Sequence, residues 1–148
     1  MKGVVMAMTL LLLSTAAARA DDALNATDLK AAYCSAATTQ LHSYEDPQST
    51  IAQGLDRGTE HFNRYLAARG FASRTDLPLL THAQDQGKAD GTEAHRIAQL
   101  CIPQCPDTTA EQKKQLMACM SGCEQHLDAR GITPRLSSCT AIEQQLPF

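Results

Sequence analysis

The cysteine pattern constrains this chain more than any other feature. "CIPQC" (101–105) and "CMSGC" (119–123) share one internal spacing, and thirteen residues, 106 to 118, separate them. Cys34 and Cys139 complete a set of six. Six cysteines allow fifteen pairings, and helical spacing narrows the choice. Cys119 and Cys123 lie in "DTTAEQKKQLMACMSGCEQHLDARG" (107–131), where Leu116, Cys119, Met120, Cys123 and Leu127 recur at helical period. Residues four apart share a helix face. Their Cβ atoms stand about 5–6 Å apart, against about 3.8 Å across a disulfide. Cys119 and Cys123 are therefore placed to reach another segment rather than each other. "PDT" (106–108) turns the chain back, which makes Cys101 and Cys105 the targets. An antiparallel hairpin joins the inner pair, Cys105 and Cys119, and the outer pair, Cys101 and Cys123. Cys34 and Cys139 remain, to tie the first helix to the last. Pro103 makes "CIPQC" less helical than "CMSGC".

An oxidising compartment suits such a framework, and the N-terminus points to one. "MKG" is a short basic start, "VVMAMTLLLLSTAAA" an apolar core and "ARA" a small-x-small cleavage pattern. Residues 1–20 read as a secretory signal peptide cut after Ala20. The apolar run is too short for a membrane span, and no cysteine follows it to carry a lipid. Its compact style points to bacterial export, hence a periplasmic or secreted protein. Residues 21–148 are then one domain, long enough to bury a core. Loss of Lys2 and Arg19 leaves 11 basic against 16 acidic residues, a formal charge of −5. Such a surface aids solubility and favours a basic partner. "QKK" (112–114) holds the one basic doublet and is no nucleic-acid footprint.

The rest reads as all-α, a small exported bundle of four to six helices braced by about three disulfides. The first helix starts near Asn25 or Thr27 and runs to Asp46, with Leu29, Tyr33, Ala36, Ala37, Leu41 and Tyr44 as its stripe. The second follows Pro47 to a Gly70 cap, with Ile51, Leu55, Phe62 and Leu66 inward. Gly54 and Gly58 suggest a close helix crossing or tolerated exposed positions. The third is capped by Thr75 or Asp76, with Pro78 in its first turn. Leu80, Ala83, Gly87, Ala94, Ile97 and Cys101 form its buried face, although the polar "QDQGKADG" (84–91) leaves open a break into two helices. Thr108 and Glu111 give the fourth helix a capping box. Thr133 caps the fifth and Pro134 opens it, with Leu136, Cys139, Ile142 and Leu146 inward.

The twin motifs resemble the CX3C pairs of small helical chaperones of the mitochondrial intermembrane space. In that family two such motifs staple antiparallel helices in nested fashion, which implies the same pairing here. The likeness covers about residues 101–123. The exported N-terminus and the third cysteine pair depart from that family, so it carries no function over. "CIPQCP" is also similar to the CxxxCP motif of periplasmic copper-delivering proteins, without their surrounding βαβ pattern. That alternative is a copper-binding or copper-delivery protein using Cys101, Cys105, Met117, Met120 and His126, since Cu(I) favours soft sulfur ligands. Structural disulfides are the leading reading, with no cofactor.

No catalytic signature stands out. His42, His61, His82, His95 and His126 are scattered, and no HExxH, CxxCH or GxSxG motif occurs. His82 with Asp85, Asp90 with Glu93 and Asp56 with Glu60 are spaced to share helix faces, and they read as solvated pairs. The chain is therefore expected not to be an enzyme, with a small hydrolase of unrecognised site as a further alternative. "HFNRYLAARGFASR" (61–74) reads first as ordinary packing, since some of its rings are needed to hold the bundle together; the alternative is a partner-facing patch through Phe62, Arg64, Tyr65, Arg69, Phe71 and Arg74, because aromatic and arginine residues are favoured in interfaces. The expected role is binding another protein, as an inhibitor or immunity protein against an exported toxin or cell-wall enzyme.

Overall fold

A computed structural model describes residues 23–105 and 113–147. The expected signal peptide and the expected Thr108–Glu111 capping box lie outside the described residues. The rest is a small all-α bundle: α1 (Ala26–His42), α2 (Thr50–Ala68), α3 (Pro78–Cys101), a 3-10 turn (Ile102–Gln104), α4 (Lys113–Leu127) and α5 (Ile132–Glu143). No helix among the described residues is long and apolar enough to cross a membrane.

α1 is the axis. Asn25 caps it, accepting from the Asp28 amide at 2.9 Å, while the Asp28 carboxylate accepts from the Asn25 amide at 3.0 Å. Each half satisfies a backbone donor that the first helical turn leaves open. Ala31, Ala32, Tyr33, Cys34, Ala36 and Ala37 are all buried, because α2 and α3 pack along α1. Small side chains let α3 come close. Gly87 lies on the backbone of Tyr33 and Ala37, and Gly91 on Ala37 and Gln40. A Cβ at Gly87 would overlap the Tyr33 carbonyl. This crossing explains "QDQGKADG": the segment does not break but runs as continuous helix, glycine being required where two backbones meet. Each glycine costs up to about 1 kcal/mol of helix propensity, offset by the tight packing. At Gly54 and Gly58 a Cβ would meet only ordinary contacts, so the close crossing lies on α3 rather than α2.

The buried stripe of α2 is Ala52, Gly58, Phe62, Tyr65 and Leu66. Ile51, expected inward, is 60% exposed, since the stripe begins one position further round. α3 starts with no side-chain cap. Asp76, expected there, is instead held by Arg74 through bonds of 2.6 and 2.7 Å. α5 also begins differently from the sequence expectation. Gly131 occupies the left-handed region (φ +64°), and the cap is Asp128 rather than Thr133. The Asp128 carboxylate accepts from the amides of Ile132 and Thr133, both at 2.7 Å. Burial pushes this carboxyl up, but the two amide bonds outweigh it and hold it below the ordinary value.

Phe62, Tyr65, Leu66, Phe71, Leu77, Leu80, Cys139 and Leu146 close the core around α1. α4 is different. Leu116, Cys119, Met120, Cys123 and Leu127 do face the body, but every one is only half-buried.

Candidate functional site

Three disulfides form: Cys34–Cys139, Cys101–Cys123 and Cys105–Cys119, with Cα separations of 5.6, 5.7 and 5.8 Å. The last two are nested and join the end of α3 to α4. The two motifs are not equivalent. Cys101 ends α3 in helical geometry, while Cys105 follows the 3-10 turn in extended geometry. Pro103 lies within that turn, where its fixed φ and missing N–H prevent an ordinary helical continuation.

These bonds bear directly on the copper-ligand set. The sulfurs of Cys101 and Cys105 are bonded to Cys123 and Cys119, so neither presents a thiolate. Met117 is 64% exposed, Met120 is half-buried and His126 is exposed. No group of three or more His, Cys, Asp or Glu residues suited to a metal occurs among the described residues.

The proposed patch at 61–74 does not form as a surface either. Phe62, Tyr65 and Phe71 are core residues. The chain has no tryptophan and only three Phe and three Tyr, so its few large rings are needed to fill the bundle. The arginines around them are engaged. Arg64 pairs with Glu60 at 2.6 Å, one helical turn away. Arg74 holds Asp76. Arg69 reaches back to α1.

That last contact belongs to one of two closed polar clasps. Asp28 is fully buried. Its carboxylate accepts from Arg69 Nε and Nη2, both at 3.0 Å, from the Tyr65 hydroxyl at 2.9 Å and from the Asn25 amide at 3.0 Å. Asp90, 1% exposed, accepts from Arg135 Nε at 2.8 Å, Arg135 Nη2 at 3.1 Å and the Tyr33 hydroxyl at 2.9 Å. Lys30 completes the second clasp by donating to the Arg135 carbonyl at 2.9 Å. Burial pushes both carboxyls up, yet the arginine and tyrosine donors more than reverse this and hold both below the ordinary carboxylate range. Burial and Asp90 together push the Tyr33 hydroxyl up, so it stays a donor. Every oxygen in the clasps has a structural partner, and neither carboxylate is free to act as an acid or base.

The sequence carried a signal for one clasp. Asp90 falls on the stripe Leu80, Ala83, Gly87, Ala94, Ile97, at the position where an apolar residue belongs. A carboxylate on a buried stripe needs a paired cation. Spacing also suggested Asp90 with Glu93 and Asp56 with Glu60 as solvated carboxylates; Asp56 and Glu60 are solvated, at 65% and 70% exposed, while Asp90 is buried. Asp90 binds Arg135, Glu93 binds Arg96 at 2.7 Å, and Asp56 stands 3.3 Å from His42 Nε2. His82 and Asp85 are exposed.

Among the described residues Tyr44, Ile51 and Leu79 are large apolar side chains exposed singly on the body, and three more are exposed at the stapled end. Leu100 closes α3 and is 44% exposed, Ile102 is 54% exposed, and Met117 lies on α4. Two disulfides therefore fix three large apolar side chains at or near the surface. Fold and site together define a disulfide-braced, all-α bundle whose buried acids Asp28 and Asp90 are engaged in structure, while the buried His61 Nε2 has no hydrogen-bond partner among the described residues. No protein-family profile, curated protein or solved structure matches the chain.

Proposed function

We propose that the chain is an exported binding protein that acts by occluding another exported protein, as an inhibitor or immunity protein against a toxin or cell-wall enzyme. The observation that carries this reading is the exposure of Leu100, Ile102 and Met117 on the doubly stapled end. A surface held rigid by covalent bonds loses less entropy on binding. Apolar side chains at its centre supply area that a partner can cover. The acidic balance of residues 21–148 favours a basic partner.

The test uses oxidised protein immobilised and exposed to the exported proteins of its source cells. A basic protein should be retained at near-equal amount. Leu100→Glu combined with Met117→Glu should release it, with circular dichroism and melting temperature unchanged. Retention equal in the double variant, or no stoichiometric partner at all, would sink the reading.

A further inference from the structure

Among the described residues, Glu124 is the one carboxylate that burial raises with no compensating partner. It lies on α4, half-buried, against Ala94 and Ile97 of α3 and Thr133, Leu136 and Ser137 of α5. Burial pushes its carboxyl up, and no cation or hydrogen-bond donor among the described residues offsets that. The neighbouring groups are already engaged. Arg96 holds Glu93, Arg135 holds Asp90, and Asp128 caps α5. A cation brought to this half-buried carboxylate would offset the desolvation that raises it.

The cleft has the shape and polarity to take that cation from outside. Its volume is about 260 Å³, below the roughly 300–1,000 Å³ of small-molecule sites and suited to one long side chain. Ala94, Ile97 and Leu136 form its apolar wall. The Ser137 hydroxyl donates to the Pro134 carbonyl at 3.0 Å, and the Thr133 hydroxyl is bonded to Asp128. Both oxygens keep acceptor lone pairs. The cleft thus offers an aliphatic wall, one anion and two acceptors, and no free donor. That combination matches an aliphatic stem ending in N–H donors.

We propose that this cleft receives the cationic end of a lysine or arginine side chain presented by a basic protein partner. The inference rests on the protein-binding reading for the source of the side chain. The cleft itself can be tested without a partner.

The probes are acetyl-lysine methylamide and acetyl-arginine methylamide, with acetyl-norleucine methylamide as the uncharged isostere. Each is titrated into oxidised protein at neutral pH and low salt and followed by amide chemical shifts. The cationic probes should saturate and shift Ala94, Ile97, Glu124, Thr133 and Ser137, at least about tenfold more tightly than norleucine, the factor that 1.4 kcal/mol confers. Glu124→Gln should abolish the preference, and Glu124→Asp should restore part of it. Glu124→Leu should raise the melting temperature, because a residue kept for a ligand is costly to the free fold. Equal binding of norleucine, a preference that survives Glu124→Gln, shifts centred elsewhere, or a lower melting temperature in Glu124→Leu would each overturn the proposal. A protein partner held undiminished by Glu124→Gln would refute the cleft and spare the functional reading. Probe binding with no partner captured would refute the functional reading and leave the cleft.

Discussion

α1 and α4 are of similar length, 17 and 15 residues, yet opposite forces hold them. α1 is buried along most of its length, clasped through Asp28 to Arg69 and Tyr65, and bonded to α5 through Cys34–Cys139. α4 contributes no fully buried residue among those described and is fixed by two covalent links to the end of α3. The body of the molecule is a packed core with polar pins. α4 is an arm held by covalent staples. Amphipathicity alone does not separate the two cases: a stripe shows which side of a helix faces protein, not how much protein lies there.

Breaking the body should cost most. Cys34–Cys139 closes a loop of 105 residues, for which chain entropy gives about 4–5 kcal/mol. Cys34→Ala with Cys139→Ala should lower global stability in urea unfolding by an amount of that order. Asp90→Ala comes next. It leaves the buried Tyr33 hydroxyl and the Arg135 guanidinium without their acceptor, and breaking such a pair typically costs about 3–5 kcal/mol. Because Arg135 keeps partial contact with water, the loss should fall near the lower end, about 3 kcal/mol. Gly87→Ala should follow at about 1–3 kcal/mol, the usual cost of overpacking, since its Cβ would meet the Tyr33 carbonyl.

The same contrast sets what the sequence could show. The five helices and the nested staples were legible because both depend on local period, the four-residue cysteine spacing and the recurrence of apolar residues at helical period. The clasp partners were not, even where Asp90 sits on a buried stripe, because Asp28 meets Arg69 41 residues away and Asp90 meets Arg135 45 residues away. Composition cannot tell a paired buried acid from a solvated one at such separations. The aromatic segment at 61–74 stayed open between packing and a partner-facing patch for a related reason, and its rings are packed. Interface and core favour the same large side chains, and in a chain with so few rings the core takes them. Glu124 was silent in sequence, since a glutamate on a peripheral helix ordinarily faces water.

Releasing the arm should barely touch the body. Replacing Cys101, Cys105, Cys119 and Cys123 together by alanine removes both staples; Cys119 and Cys123 on α4 are only half-buried, while Cys101 and Cys105 are buried. α4 should detach by local opening. The expected result is lost amide protection across residues 113–127, with global stability falling by well under the about 4–5 kcal/mol expected for the Cys34–Cys139 variant. A global loss as large as that of the Cys34–Cys139 variant would show that α4 belongs to the cooperative core and would erase the distinction between body and arm.

The smallest effect is also the sharpest, because the two regions should respond to acid with opposite sign. Asp28 and Asp90 have folded pKa values below their unfolded ones. The unfolded chain therefore binds protons first as pH falls. The clasps give their full stabilisation above the unfolded value and lose it as pH drops through the folded one. Glu124 has a folded pKa above its unfolded value. Here the docked arm takes the proton first, so its docking strengthens as pH falls through the folded pKa and gains nothing further below the unfolded one. Moving from neutral toward about pH 4.5, just above the ordinary glutamate range, should leave exchange protection in α1 and α3 unchanged and modestly raise it in α4. Glu124→Gln should remove the rise in α4 and leave the acid response of the body intact. A rise that persists in Glu124→Gln would move the proton to another group on the arm.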